Sequence, residues 1–577
     1  MADLHGAFAL VLHSHLPYVL SHNRLEEEWL LEAVVESYLP LVSLLGRLVL
    51  LGVPPHVTIG MTPVLLEQLA APQFPQTLLT YLEEKCSAAR ADQRIFHNRK
   101  EAHLARLAGL WEEFYRRSAT FFVKDLSADL IGALGSLQRR GHIEILASAA
   151  THAYLPLLGL DASVRAQIEI GTACYQRHFR TDPRGFWLPE CAYRPAGSWT
   201  VPVKSVDTHL SSDRQAIDQL LSAAGIEYFI VDGRQLTASP PDYQRHSPFY
   251  LYQVDGKGLA SYPPVTIFPR DFQSTARVWQ HDGGYPGDPR YLEFHKKQTG
   301  GKLRYWRITD RQIDLAHKQP YVPEWAFAQV AAHAAQFVQA IRDALRAHWL
   351  QTREPGLLVA AFDTELFGHW WFEGPQWMFE VLRQLATTGD VRVVTCGAYL
   401  SQYPPQRTVQ LRESSWGDGG DHRVWLQEKT RNLWRDVYQT EADMQRLGAR
   451  MVEVTPDSQL RQLLRQGARE FLLLQSSDWP FMIGTGNTVD HARRRASQHH
   501  ENFQRLRRMT ERYAANEALA PEDWQFLAES ERQNMLFPDL DPWIFWHAQP
   551  APLGSPHGVR KKKIGENTKH EQPRVEM

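Results

Sequence analysis

No two cysteines in this chain are spaced as Cys-x-x-Cys. The four that occur, Cys86, Cys174, Cys191 and Cys396, lie far apart, which argues against a zinc ribbon or a disulfide framework and fits a reducing cytoplasm. Charge of one sign is equally scarce. With 63 basic and 65 acidic residues the formal net charge is −2, without the positive field that nucleic acid or an anionic membrane calls for. Long apolar runs are missing too: the N-terminal one ends at His13, and those elsewhere, such as the one before Arg47, are broken by charge or proline. Neither a signal peptide nor a membrane span is expected, and a monomer is the default.

What the chain has is length. At 577 residues it can bury a large core, divide into more than one domain and support a deep cleft. The first two-thirds alternates short apolar runs with helical patterns, as parallel strands in a barrel or open sheet do. Candidate strands cover 7–12, 57–60, 143–148, 185–189, 226–231, 357–362 and 391–395. Thr62-Pro63 reads as a helix start, and Gly141 and Gly225 as helix stops. Two stretches exceed a minimal barrel: 65–135 is mostly helical, and 232–310, rich in Pro, Gly, Tyr and Arg, reads as long loops over a site. The expected organisation is a catalytic part over 1–400, a helical domain over 401–548 and a disordered tail over 549–577.

Polar residues fall at the carboxyl ends of the candidate strands, where parallel barrels carry their working groups. His13 and His15 follow the first strand, and His152, Glu190 and Asp232 follow later ones. Asp363 and Glu365 follow 357–362. His13 and His15, two apart, share a face of an extended chain. Glu190 ends the apolar run of "GFWLPECAYRP", with Arg194 as the partner in a structural reading. The window "AAFDTELFGHWWFEGP" adds Asp363, Glu365 and Glu373 among Phe and Trp residues. Two carboxylates among aromatic rings suit glycoside chemistry, one attacking the anomeric carbon and the other protonating the leaving oxygen. Spacing does not choose between Asp363 and Glu365 as the acid. The same inventory admits a second reading, in which His13, His15, His152 and Asp363 hold zinc and Glu190 is the base of a hydrolase or deacetylase. A third is a glucan-binding protein without catalysis.

Five segments, "HSHLPY" (13–18), "EILASAATHAYLPLL" (144–158), "GFWLPECAYRP" (185–195), "AAFDTELFGHWWFEGP" (360–375) and "SSDWPFMI" (476–483), resemble in order the motif regions of glycoside hydrolase family 57, in particular its branching members. The resemblance implies an α/β fold, a distorted (β/α)7 barrel with an inserted lid region, followed by an α-helical C-terminal domain. It implies a retaining mechanism on α-1,4-glucan with Glu190 as nucleophile and Asp363 as acid/base. Chain transfer to a 6-hydroxyl would make branches, to a 4-hydroxyl a 4-α-glucanotransferase, and to water an amylase. No metal or cofactor is implied. By motif position His13, His15 and His152 hold sugar hydroxyls, with Asp478 close by. Trp279, Trp416 and Trp425, and Trp29 beside them, match substrate-binding aromatics. Tyr243 in "PPDYQRHSPFY" matches a loop tyrosine over the cleft, with an Asp before it and a Gln after it that depart from the pattern.

Overall fold

The structure, a computed structural model, describes residues 4–20, 23–203, 211–236, 246–255, 263–280, 283–451 and 457–546. Tyr243 and the stretch 549–577 lie outside the described residues.

Seven parallel strands close a ring: β1 (Gly6–Ser14), β2 (Val57–Met61), β3 (Ile143–Ser148), β4 (Gly185–Trp187), β5 (Tyr228–Asp232), β6 (Thr266–Arg270) and β7 (Gly356–Asp363). Each pairs with the next, β7 pairs with β1 from Gly6↔Gly356 to His13↔Asp363, and β6 meets β7 at Arg270↔Val359. All nine residues of β1 are buried, because a parallel barrel is covered on both faces and its strands are apolar throughout. Side chains of a strand alternate between faces. Ala7, Ala9, Val11, Ile230, Phe268, Leu357, Val359 and Ala361 form one cluster, the filling of the barrel. Phe8, Leu10, Leu12, Leu358 and Phe362 belong to the larger core under the helices. The same parity carries His13, Asp232, Arg270 and Asp363 to the inner side at the barrel mouth.

Three strand assignments differ from expectation. β6 lies within 232–310, the region read as loop, where Pro269 and the surrounding Pro, Gly and Tyr residues hide five buried strand residues. The 391–395 run forms only Val391–Val393, paired with Gly6–Phe8 at the foot of β1 and outside the ring. A strand also persists beyond 401, Arg407–Val409, beside Tyr252–Val254.

Residues 65–135 carry the helices Phe74–Asn98 and Ala102–Thr120. Pro63–Leu69 starts at Thr62 as expected, and Gly141 and Gly225 take φ of 73° and 82° after helices. Helical structure over Arg24–Leu50 has the length and apolarity of a membrane span, yet 67% of its most apolar window is buried inside the protein. The helices Arg431–Met451, Ser458–Leu474, Asp478–Thr485, Val489–Ala514 and Pro521–Gln533 make the C-terminal helical region. It meets the barrel side through the bridge Ala153↔Ser476 and a buried ion pair, Arg495 to Glu26 at 2.7 Å.

Candidate active site

Glu190 sits in a single 3-10 turn, Pro189–Cys191, directly after β4. Its φ is +62°, that of Cys191 +48° and that of His152 +55°. A side chain in the left-handed region costs about 1 kcal/mol or more, so the packing here holds three residues in strained backbone. The Glu190 carboxylate is 14% exposed. Its Oε2 accepts from the indole Nε1–H of Trp416 at 2.7 Å and its Oε1 from the Ser477 hydroxyl at 3.3 Å. The Trp416 amide also donates to the Glu190 carbonyl at 2.9 Å. Arg194 does not serve as its partner: that guanidinium, 2% exposed, lies 3.5 Å from Asp161. Burial pushes the Glu190 carboxyl up to about 7, against the pull of Trp416 and with the help of Asp363 and Asp478.

Asp363 ends β7 in register with His13 on β1. Burial and the adjacent Glu365 push its carboxyl up to about 7, while His15 and Arg270 act the other way. Glu365 is engaged elsewhere, accepting from the Tyr38 hydroxyl and from the His15 amide at 3.0 Å. Glu373 accepts from the Leu292 amide at 3.0 Å and the Tyr321 hydroxyl at 2.7 Å, in a structural pocket. Asp232 is fixed by Arg234 at 3.0 Å and Arg270 at 2.8 Å. The three carboxylates beside the catalytic candidates are therefore committed to other contacts.

The three histidines come together. His13 stacks on Trp187 with centroids 4.5 Å apart, and His15 stacks on His152 at 3.8 Å. His13 Nε2 and His152 Nε2 are 2.9 Å apart, and His152 Nδ1 is 2.8 Å from Ser477 Oγ. His15 Nε2 donates to Asp478 at 3.0 Å, and its Nδ1 lies 3.1 Å from Thr62 Oγ1. Burial, with His15 adding repulsion, pushes His13 and His152 well below the ordinary histidine value, so both are neutral. Burial opposes the charge of Asp478, but His15 brings its carboxyl below the usual range.

Of the aromatic candidates, Trp416 is in the site, edge-on to Trp187 at 5.1 Å and under Arg270 at 5.2 Å. Trp279 ends the helix Phe272–Trp279 and is 41% exposed, open to a ligand. Trp425 is a correction: it is 1% exposed and stacked on Tyr154 at 4.5 Å, a packing residue rather than an open platform. Trp29 is partly buried against His491, 4.9 Å away.

Several site residues carried no separate signal in the sequence. Ser477 lies inside a quoted motif but beside the more conspicuous Asp478. Tyr38 closes a π-helical turn, Val34–Tyr38, inside a core helix; such turns concentrate at functional sites but have no sequence signature. Arg270 ends β6, inside a stretch whose composition reads as loop.

The zinc reading needs the cleft ligands to converge with free lone pairs. Instead five of the six histidine nitrogens face one another, Ser477, Thr62 and Asp478. Among the described residues, the group of three ligand atoms within 4.8 Å is Glu67, Cys174 and His178, where Arg177 already pairs with Glu67.

A family model described as glycosyl hydrolase family 57 matches residues 9–412. The chain belongs to glycosyl hydrolase family 57. A second model, the C-terminal region of 1,4-α-glucan branching enzymes, matches residues 436–545. Within the family, the chain is 38% identical over 515 residues to a 1,4-α-glucan branching enzyme of Thermococcus kodakarensis, covering 88% of this chain and 74% of that one. The crystal structure of a family 57 branching enzyme from Pyrococcus horikoshii superposes with a TM-score of 0.87 at 34% identity, covering 95% of this chain and 98% of that one. An α-amylase from Thermotoga maritima superposes with a TM-score of 0.79 at 25% identity, covering 94% and 99%.

Proposed function

We propose that this protein is a 1,4-α-glucan branching enzyme working by double displacement. The observation that carries the mechanism is the unequal hydrogen bonding of two carboxyls that burial pushes up to about 7. Like charges in one site do not ionise independently. Glu190 has two hydrogen-bond donors to receive a charge, whereas Asp363 is pressed by Glu365. The two donors at Glu190 support its role as the ionised nucleophile, with Asp363 as the protonated acid.

In the first step Glu190 forms a bond to the anomeric carbon, the C1–O4 bond breaks, and the Asp363 proton goes to the departing O4. In the second, Asp363 takes the proton of an acceptor 6-hydroxyl, C1–O6 forms and the bond to Glu190 breaks. The α configuration is retained through two inversions. We assign sugar hydroxyls to His13, His15, His152 and Asp478, which a bound sugar reaches by exchanging one of their present contacts, and Trp279 and Trp416 are the aromatic candidates. Similarity to the branching enzymes over both segments of the chain supports transfer to a 6-hydroxyl, and similarity to the α-amylase supports water as a competing acceptor. Four free, buried cysteines support a cytoplasmic setting.

The test is incubation with linear amylose while reducing ends and the α-1,6 anomeric proton signal are followed together. Growth of that signal with few new ends supports branching; ends alone mean hydrolysis. Glu190→Gln and Asp363→Asn each abolish turnover with the fold intact, and near-wild-type rates in either would sink the assignment.

A further inference from the structure

The line His13, His152, Ser477, Glu190 is satisfied by one order of protons. A serine hydroxyl has one proton to give and a neutral imidazole one N–H. When Ser477 donates to the Glu190 carboxylate, the 2.8 Å contact to His152 Nδ1 must be a bond that His152 donates. His152 Nε2 is then bare and accepts from His13 Nε2–H across 2.9 Å. His13 Nδ1 is left bare, and among the described residues it is indeed a buried nitrogen without a hydrogen-bond partner. The opposite order turns a Ser477 lone pair toward a carboxylate and buries an unpaired N–H at His13. Orphaned buried donors are rarer than under-used acceptors. Burial keeps both imidazoles neutral, so neither supplies a second proton that would relax the constraint.

We infer that Ser477 is a positioning residue for Glu190, the last member of a proton-ordered relay, His13 to His152 to Ser477, that favours the charged nucleophile. The inference rests on the role proposed for Glu190. Every link is buried or nearly so, and Ser477 comes from the helical region while the histidines come from β1 and the segment after β3. When Glu190 takes up a proton, its O–H can donate to Ser477 and the order of the line is released. The histidine tautomers thus report the charge on Glu190. Trp416 donates to the other carboxylate oxygen, Oε2, at 2.7 Å, and the remaining groups facing the carboxyl are His152, whose Nδ1 is 4.0 Å from Oε1, Asp363 from β7, Asp478 from the helical region, His15 after β1, and Cys191 and Tyr154 beside it. None of these takes the place of the Ser477 donor.

The experiment is the pH profile of kcat/KM on amylose for wild type, Ser477→Ala and Ser477→Thr, with near-UV circular dichroism to confirm the fold. Losing one hydrogen bond to a charged acceptor moves the acid limb of the alanine variant up by about one pH unit. The loss is then about tenfold below that limb and small above it, and threonine, which keeps the hydroxyl, restores the wild-type limb. An equal loss at every pH, or a folded threonine variant that behaves like alanine, overturns the relay. A second measurement needs no substrate and no Ser477 variant. Nitrogen-15 NMR of histidine-labelled wild-type protein at pH 8 shows His152 protonated on Nδ1 and His13 on Nε2; the opposite tautomers overturn the inference. Because the tautomers are read without glucan, an inert wild-type protein would refute the proposed function and leave the relay to be judged separately.

Discussion

Trp416→Phe isolates the better of the two donors to Glu190. Phenylalanine keeps a ring beside Trp187 and Arg270 but removes the Nε1–H that reaches Oε2 at 2.7 Å. A hydrogen bond to a charged acceptor is worth about 1.5–3 kcal/mol, or about one to two pKa units. Glu190, held at about 7 in the intact protein, moves to about 8 to 9 in the variant. At pH 7 its ionised fraction falls from about one half to about one in ten or one in a hundred, so kcat/KM drops about 5- to 50-fold. Activity returns as pH rises past the new value. The assay is kcat/KM on amylose from pH 5 to 10, with affinity for a short maltooligosaccharide measured separately on the same protein. A loss that is uniform in pH, or one carried wholly by weaker sugar binding, refutes the argument that the indole N–H stabilises the nucleophile's charge.

Glu441 on the helix Arg431–Met451 is fully buried, and burial pushes its carboxyl up from 4.5 to about 7, against bonds from Ser163 and the Gly159 amide. A carboxyl raised on folding contributes its full stability below the unfolded value and loses it as pH climbs through the folded one. Glu441→Gln therefore stabilises by about 3 kcal/mol at pH 8.5 and by little at pH 4.5, seen in denaturant midpoints at the two pH values; an equal effect at both would refute the cause. Gly368 has a φ of +113°, and a Cβ there would lie 1.7 Å from the Glu36 carbonyl. Gly368→Ala loses at least ~3 kcal/mol of stability, measured by urea unfolding. Prolonged dialysis against EDTA leaves turnover on amylose unchanged; a loss restored by zinc would revive the metal reading.

How much of this was legible in the chain depended on whether a residue's setting is local. β1 reads as a strand because residues 7–12 form an unbroken apolar run, and its histidines stand out because that run stops at them. Glu190 and Asp363 are visible for the same reason, and the pleat then fixes which side of the wall Asp363 faces. β6 was hidden by Pro269 and by neighbours that favour turns. Arg194 is four residues from Glu190, but the left-handed turn at Glu190 and Cys191 separates them and leaves the arginine with Asp161. A tryptophan left 41% exposed and one stacked on Tyr154 look alike in one dimension, so the sequence does not tell Trp279 from Trp425. Ser477 is the extreme case. Its meaning comes entirely from two partners 287 and 325 positions away.

The two donors to Glu190 stand at 416 and 477, after the seventh barrel strand has ended at Asp363. A ribosome delivers the chain from its N-terminus, and domains generally fold as they emerge. When β7 has been made, both acidic residues exist and neither donor does. A chain that ends there carries the acidic pair without the indole and hydroxyl that Trp416 and Ser477 bring to Glu190.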